Sequence, residues 1–203
     1  SSMEQVQQYL RGPLLDALYG DQVSEVSGPF DPGFVNENAI LVGAVRLRQI
    51  RVATNSCSVS LLHHLVPTCW PSLWDGARRT GPIYGANLGG GMRRVYRYER
   101  TTDMLYGSRE LPVVAKVAGY LPGGYIVDLP GRKFYAAAVI DQLQHDRFLT
   151  IETRVLTVDF SLYSPPLNTF CVVRLVLEAF STGGVQPYAA FRTVRLLPYH
   201  GDT

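Results

Sequence analysis

The chain has 203 residues and a formal net charge of only +2, so bulk charge selects neither an anionic nor a cationic partner. Its apolar content of 46% excludes a disordered chain, and its length suits one domain with a sizeable core. No apolar run approaches the roughly 18 residues that would cross a bilayer, and no signal peptide opens the sequence.

Ser1-Ser2-Met3 reads as a cloning scar, leaving 4–203 as one domain, and the chain reads as a fragment of a longer polypeptide. Val6, Tyr9, Leu10, Leu14 and Leu18 recur at helical spacing between Glu4 and Tyr19. Gly12-Pro13 predicts a kink or a fresh helix start, since proline suits a first turn and breaks an interior. Gly20 is a stop signal. Asp21 to Glu37 is turn-rich loop, with Phe30 and Phe34 as anchors. Ala39 to Val52 is a strand. Val42, Ala44, Arg46, Arg48, Ile50 and Val52 share one parity, and Leu41, Val45 and Leu47 the other. The apolar face therefore changes sides near Arg48-Gln49, which predicts a bulge or strong twist there. Arg46, Arg48 and Arg51 read as structural, on a solvated face or in a buried ion-pair network.

Further along, Ser60 to Val66 is a short helix, Cys69 to Gly91 is irregular, Met92 to Tyr98 is a strand, and Thr101 to Tyr106 is loop or short helix. Val113 to Ala118 and Gly124 to Leu129 read as two strands joined at residues 120–124. Lys133 to Arg147 is an amphipathic helix with Ala136, Val139, Ile140 and Leu143 on one face. Arg154 to Phe180 is the strongest signal. Leu156, Val158, Phe160 and Leu162 alternate with polar residues, the pattern of a half-buried strand. Ser164-Pro165-Pro166 turns the chain. The run from Cys171 to Ala179 is apolar on both faces apart from Arg174 and Glu178, the pattern of a central strand covered on both sides. Gly183-Gly184 makes the next turn, and Gln186 to Tyr199 is a last strand. The fold class is α+β: a largely antiparallel sheet of about five strands flanked by helices, with an irregular excursion over about 57–110.

No catalytic constellation emerges. His63-His64 has no spaced Cys or His partners for a metal. Cys57 and Cys69 lack the surroundings of an activated thiol. Residues 85–91 lack the Lys-Ser/Thr ending of a phosphate loop. The chain thus reads as non-enzymatic, without a metal or cofactor site. Two readings of the cysteines stand: three free thiols, or a Cys57–Cys69 disulfide with Cys171 buried and unpaired in the core. Arginine supplies 17 of the 19 basic residues. Arg78, Arg79, Arg93, Arg94, Arg97 and Arg100, with Tyr96 and Tyr98 between them, form a basic aromatic segment. It suits a protein or lipid-headgroup contact. A stand-alone ligand- or nucleic-acid-binding module using 78–100 is the alternative, weakened by the near-neutral total charge.

Several blocks in series resemble the polycystin domain, the extracellular or luminal TOP domain of polycystin channels. They are Leu14 to Tyr19, Asn36-Glu37-Asn38, Val45 to Val52 with Cys57, Gly123 to Leu129, Thr153 to Tyr163, Asn168 to Glu178, and Ser181 to Val185. The resemblance implies insertion between the first and second transmembrane helices of a six-helix cation channel, with both ends of the domain toward the membrane. It implies a Cys57–Cys69 disulfide at the base of an excursion called the three-leaf clover. It also implies homo- or heterotetramers with other polycystin subunits, a role in assembly and gating, and a place on the extracellular or luminal face of a ciliary, plasma or endoplasmic-reticulum membrane. Residues 70–110 depart from the family pattern, so Arg78 to Arg100 are contact residues on composition and not by resemblance.

Overall fold

The structure is a computed structural model that describes residues 2–20, 34–35, 38–55, 69–71, 78–89, 91–100, 113–114, 119–120 and 123–195. The expectations for Phe30, Cys57, Ser60 to Val66, His63-His64, Thr101 to Tyr106 and Tyr199 lie outside these residues.

Two short helices open the chain, α1 (Met3–Arg11) and α2 (Pro13–Tyr19). Ser2 and Met3, read from sequence as a scar, are built into the first. The Ser2 hydroxyl accepts from the Gln5 amide, and the Gln5 side chain accepts from the Ser2 amide at 2.9 Å. This reciprocal arrangement satisfies two of the orphaned N–H groups of a helix start. The chain turns at Gly12, and Pro13 begins α2, where a missing N–H costs nothing. Val6, Leu10, Leu14, Leu15, Leu18 and Tyr19 are buried, each aliphatic side chain contributing roughly 1.5–3 kcal/mol by leaving water.

The body is a seven-stranded sheet, against the five strands expected, and every pairing in it is antiparallel. Its strands are β1 (Phe34–Val35), β2 (Ala39–Arg51), β5 (Tyr98–Glu99), β8 (Gly124–Leu129), β9 (Thr153–Ser164), β10 (Thr169–Ala179) and β11 (Val185–Arg195). The order is β11-β10-β9-β2-β8-β5, with β1 paired to β2. Two small hairpins stand apart from it: β3 (Ile83–Asn87) with β4 (Arg93–Tyr96), and β6 (Val113–Val114) with β7 (Gly119–Tyr120). Helix α3 (Lys133–His145) joins α1 and α2 on one face, burying Ala136, Ile140 and Leu143.

Four details differ from the sequence reading. The register shifts of β2 fall between Val42 and Arg46 and between Ile50 and Arg51, not at Arg48-Gln49. Gly43, at φ +78°, takes the left-handed conformation that the first shift needs. The pattern looked like a change of face because both faces of β2 are buried from Leu47 to Arg51. Second, β9 is the strand covered on both sides: Thr153 to Val158 are all buried, whereas β10 is only partly so. Position explains this, since β10 lies next to the edge strand and β9 lies between β10 and β2. Third, Gly124–Leu129 pairs with β2 and β5, while 113–114 closes its own hairpin with 119–120. Fourth, Cys171 is half-buried and not a core residue, like its neighbours Thr169 and Phe170 at the start of β10.

The sheet face away from the helices carries a row of alternating charge. Arg46 stands opposite Asp128 on one side and Asp159 on the other, and Asp159 stands opposite Arg174. Arg46 and Asp128 meet at 2.7 Å, and Arg174 and Asp159 at 2.6 Å, both pairs bidentate. On the same face Ile50, Val155 and Val176 form a small apolar cluster with Tyr120 of the second hairpin.

Candidate functional site

The basic segment expected to make contacts divides into an anchored part and a free part. Arg78 bridges to Val52 through its backbone, and its guanidinium donates to the Tyr98 hydroxyl at 3.0 Å. The Arg79 amide donates to the Arg51 carbonyl at 2.9 Å, and its guanidinium pairs with Glu152, also at 2.9 Å. Glu152 binds Arg51 at 2.9 Å and accepts from Thr54 at 3.0 Å. Burial resists ionisation of Glu152, but the two guanidinium charges and the Thr54 bond outweigh it and hold the carboxyl below its ordinary value. One carboxylate therefore ties the end of β2, the turn before β9 and the start of the arginine segment.

A second carboxylate holds the β3–β4 hairpin. Asp146, at the C-terminus of α3, accepts from the Tyr96 hydroxyl, from the Ala86 amide at 2.8 Å and from the Gln142 side chain at 2.8 Å. Tyr96 does not face outward as a contact residue: it is buried, with its ring 5.1 Å from that of Phe148. Burial and the bond to Asp146 push its hydroxyl pKa well up. Burial works against the charge on Asp146, but the three donors prevail and hold its carboxyl below the ordinary value. Gly85 is required at this contact, since a Cβ there would lie 2.5 Å from the Asp146 carboxyl carbon.

A third carboxylate holds the other hairpin. The Tyr120 hydroxyl donates to buried Glu178 at 2.6 Å. Arg154, also buried, gives its guanidinium to four main-chain carbonyls: Trp70, Pro71, Ile151 and Thr153, at 2.7–3.0 Å. It thereby fixes the residues that follow Cys69. The Asn55 amide donates to the Cys69 carbonyl at 3.0 Å, and the Cys69 amide donates back to the Asn55 side chain.

Beyond these anchors, the hairpin arm points outward. Arg93, Arg97 and Arg100 are exposed, and among the described residues none of the three has an ion-pair partner. Arg94 lies over the Tyr96 ring at 5.4 Å. Tyr84 and Val95 form an exposed cross-strand pair, and Met92 at the tip is 71% exposed. The remaining residues singled out from sequence lie in the body. Arg48 is fully buried, its Nε 3.4 Å from the Thr157 hydroxyl, and Phe160 packs half-buried against the main core. Among the described residues there is no cluster of acidic, His or Cys side chains able to hold a metal, and no helix long and apolar enough to cross a membrane.

Sequence reasoning missed Asp146, Glu152, Glu178, Tyr120 and Arg154. Glu178 carried a faint signal, as the lone acid in the apolar β10 run. The others follow ordinary surface patterns, and only the tertiary fold makes them buried partners.

The fold and the site together define an α+β domain that carries an arm anchored by buried carboxylates. The chain belongs to the polycystin domain family, whose model matches residues 1–197. It is 33% identical over 202 residues to Polycystin-2-like protein 1 of Homo sapiens, covering 98% of this chain and 24% of that protein. Against Polycystin-2 of Danio rerio the identity is 31% over 201 residues, covering 98% and 21%. Polycystin-1-like protein 3 of Mus musculus is 27% identical over 187 residues, covering 90% and 8%. The chain thus spans at most about a quarter of the length of these relatives.

Proposed function

We propose that this chain is the extracellular or luminal, non-enzymatic domain of a polycystin-type cation channel, and that it joins neighbouring subunits and contributes to gating. Residues 4–203 act as one such domain. Its partners are other polycystin subunits, in a homo- or heterotetramer. The observation that carries this reading is the division of the arginine segment. Arg78 and Arg79 are spent on anchoring, while Arg93 on the arm and Arg97 and Arg100 beyond it are exposed without an ion-pair partner among the described residues, beside the exposed apolar side chains of the arm. A guanidinium row of this kind fits carboxylates on another subunit or, secondarily, lipid phosphates.

The experiment is charge reversal in the full-length parent protein. Arg93→Glu with Arg97→Glu should lower the yield of assembled channel on native gels while the monomer still reaches the membrane. Unchanged assembly overturns the contact. A Cys57–Cys69 disulfide belongs to the same reading. Its support is that Cys171 is a free thiol while Cys69 has a partner, and that Asn55 and Cys69 are held together by their hydrogen bonds. Alkylation after denaturation without reductant should label Cys171 alone, and labelling of all three cysteines would refute the pair.

A further inference from the structure

We propose that the groove between α1 and the β10–β11 hairpin is a binding site for an uncharged, elongated apolar ligand of the lipid class. The groove follows from where the helices sit. Helix α3 packs on β8 and α2 on β1, and the α1 residues Gln5, Val6 and Tyr9 face β10 and β11 across a space of about 540 Å³. Pockets for drug-sized ligands run from roughly 300 to 1,000 Å³.

The lining selects the ligand's chemistry. Leu175, Leu177 and Ala189 form the sheet side, and Val6 forms part of the helix side. Among the described residues no Asp, Glu, Lys, Arg or His lines the groove. A charged ligand would therefore lose its hydration without gaining a counter-charge from them. The polar side chains are neutral: Gln5, Tyr9 and Tyr188, all exposed and so near the open side. Burial raises the Tyr9 hydroxyl pKa further, so it stays neutral at physiological pH. An amide and a hydroxyl on one rim suit a single ester, hydroxyl or carbonyl group, and the apolar walls suit the body attached to it.

The test uses the 203-residue chain with cis-parinaric acid and its methyl ester, fluorescent probes with the same tail that differ in charge above pH 7. The ester should bind saturably and at least about tenfold more tightly than the ionised acid. Ala189→Trp, which fills the sheet side of the groove, should lower ester affinity about tenfold or more without changing the melting temperature. Ala189→Phe replaces it if the larger ring unfolds the chain. Tyr9→Phe, which removes only the hydroxyl, should weaken the ester by a few-fold and leave a pure hydrocarbon probe unaffected. Absence of saturable binding overturns the proposal, as does equal affinity for acid and ester, or binding that survives both Ala189 variants. Concentration-dependent self-association abolished by Ala189→Trp would also overturn it, by making the groove a contact between copies.

Discussion

The sheet and the β3–β4 arm are held by different physics. Between β2, β9 and β10 the backbone pairings run for nine or more residues, and their side chains are buried on one or both faces. Loss of one contact there leaves many others. The arm belongs to a separate two-stranded sheet, and Asp146, with Tyr96, is its main hold on α3. Its attachment rests on two core side chains, Ile83 and Tyr96, and on the hydrogen bonds of Ala86 and Tyr96 to Asp146. This is less than holds the long strands, so the arm opens locally before the sheet does.

The sharpest break of this contrast is in the sheet. Arg48→Ala should cost about 3–5 kcal/mol, because it empties the space filled by a long, wholly buried side chain and its packing. The whole domain should melt lower and in one transition; a melting curve identical to the parent's would refute this. A smaller and more local effect is expected at the arm. Asp146→Asn should cost about 1–3 kcal/mol, since it weakens three hydrogen bonds at once. Amide exchange should speed up at Ala86 and along 83–96 while β9 and β10 remain protected. Uniform acceleration through the sheet would mean that arm and body form one cooperative unit.

Acid separates the two regions by another route. Asp146 and Glu152 both have folded pKa values below their ordinary ones, 3.8 and 4.5. Their contribution is therefore complete above those ordinary values and is lost as pH falls through the lower, folded ones. Stability should be flat with respect to these groups from neutrality to about pH 5 and should decline below about pH 4. In that acid range the difference between the parent and Asp146→Asn should shrink. A gap that stays constant to pH 3 would show that the carboxylate's charge contributes nothing. The smallest effect is expected at Arg11–Asp141, a pair exposed on both sides. Asp141→Asn should change stability by less than about 1 kcal/mol, which gauges what a carboxylate contributes when water can replace its partner.

The same contrast explains what could be read from the sequence. The helix over 4–19 with its break at Pro13, the β9–β10 pair and α3 all rest on periodic apolar spacing, a local property that the fold preserves. Of the β3–β4 hairpin only the second strand was legible, within Met92 to Tyr98; β3 and the pairing were not. Its strands, Ile-Tyr-Gly-Ala-Asn and Arg-Arg-Val-Tyr, are short and flank a glycine-rich turn. They form because Asp146, some fifty residues later, supplies an acceptor for the Ala86 amide and the Tyr96 hydroxyl. The exchange of roles between β9 and β10 was hidden for a related reason. Thr153, Arg154 and Thr157 look like solvated polar residues until Gln49, the Trp70 and Pro71 carbonyls, and Arg48 are brought against them. Composition identified the arginine segment, but which of its members are free depends on where Glu152 and Tyr98 lie.

The alternating row Asp128, Arg46, Asp159, Arg174 has a consequence for how the strands find one another. It acts as a registration mark printed across four neighbouring strands. Slipping β9 by one position would drive Asp159 into the oily side of the sheet, and slipping it by two would part it from both arginines. Misaligned sheets are thus penalised by lost charge pairing as well as by misplaced apolar side chains.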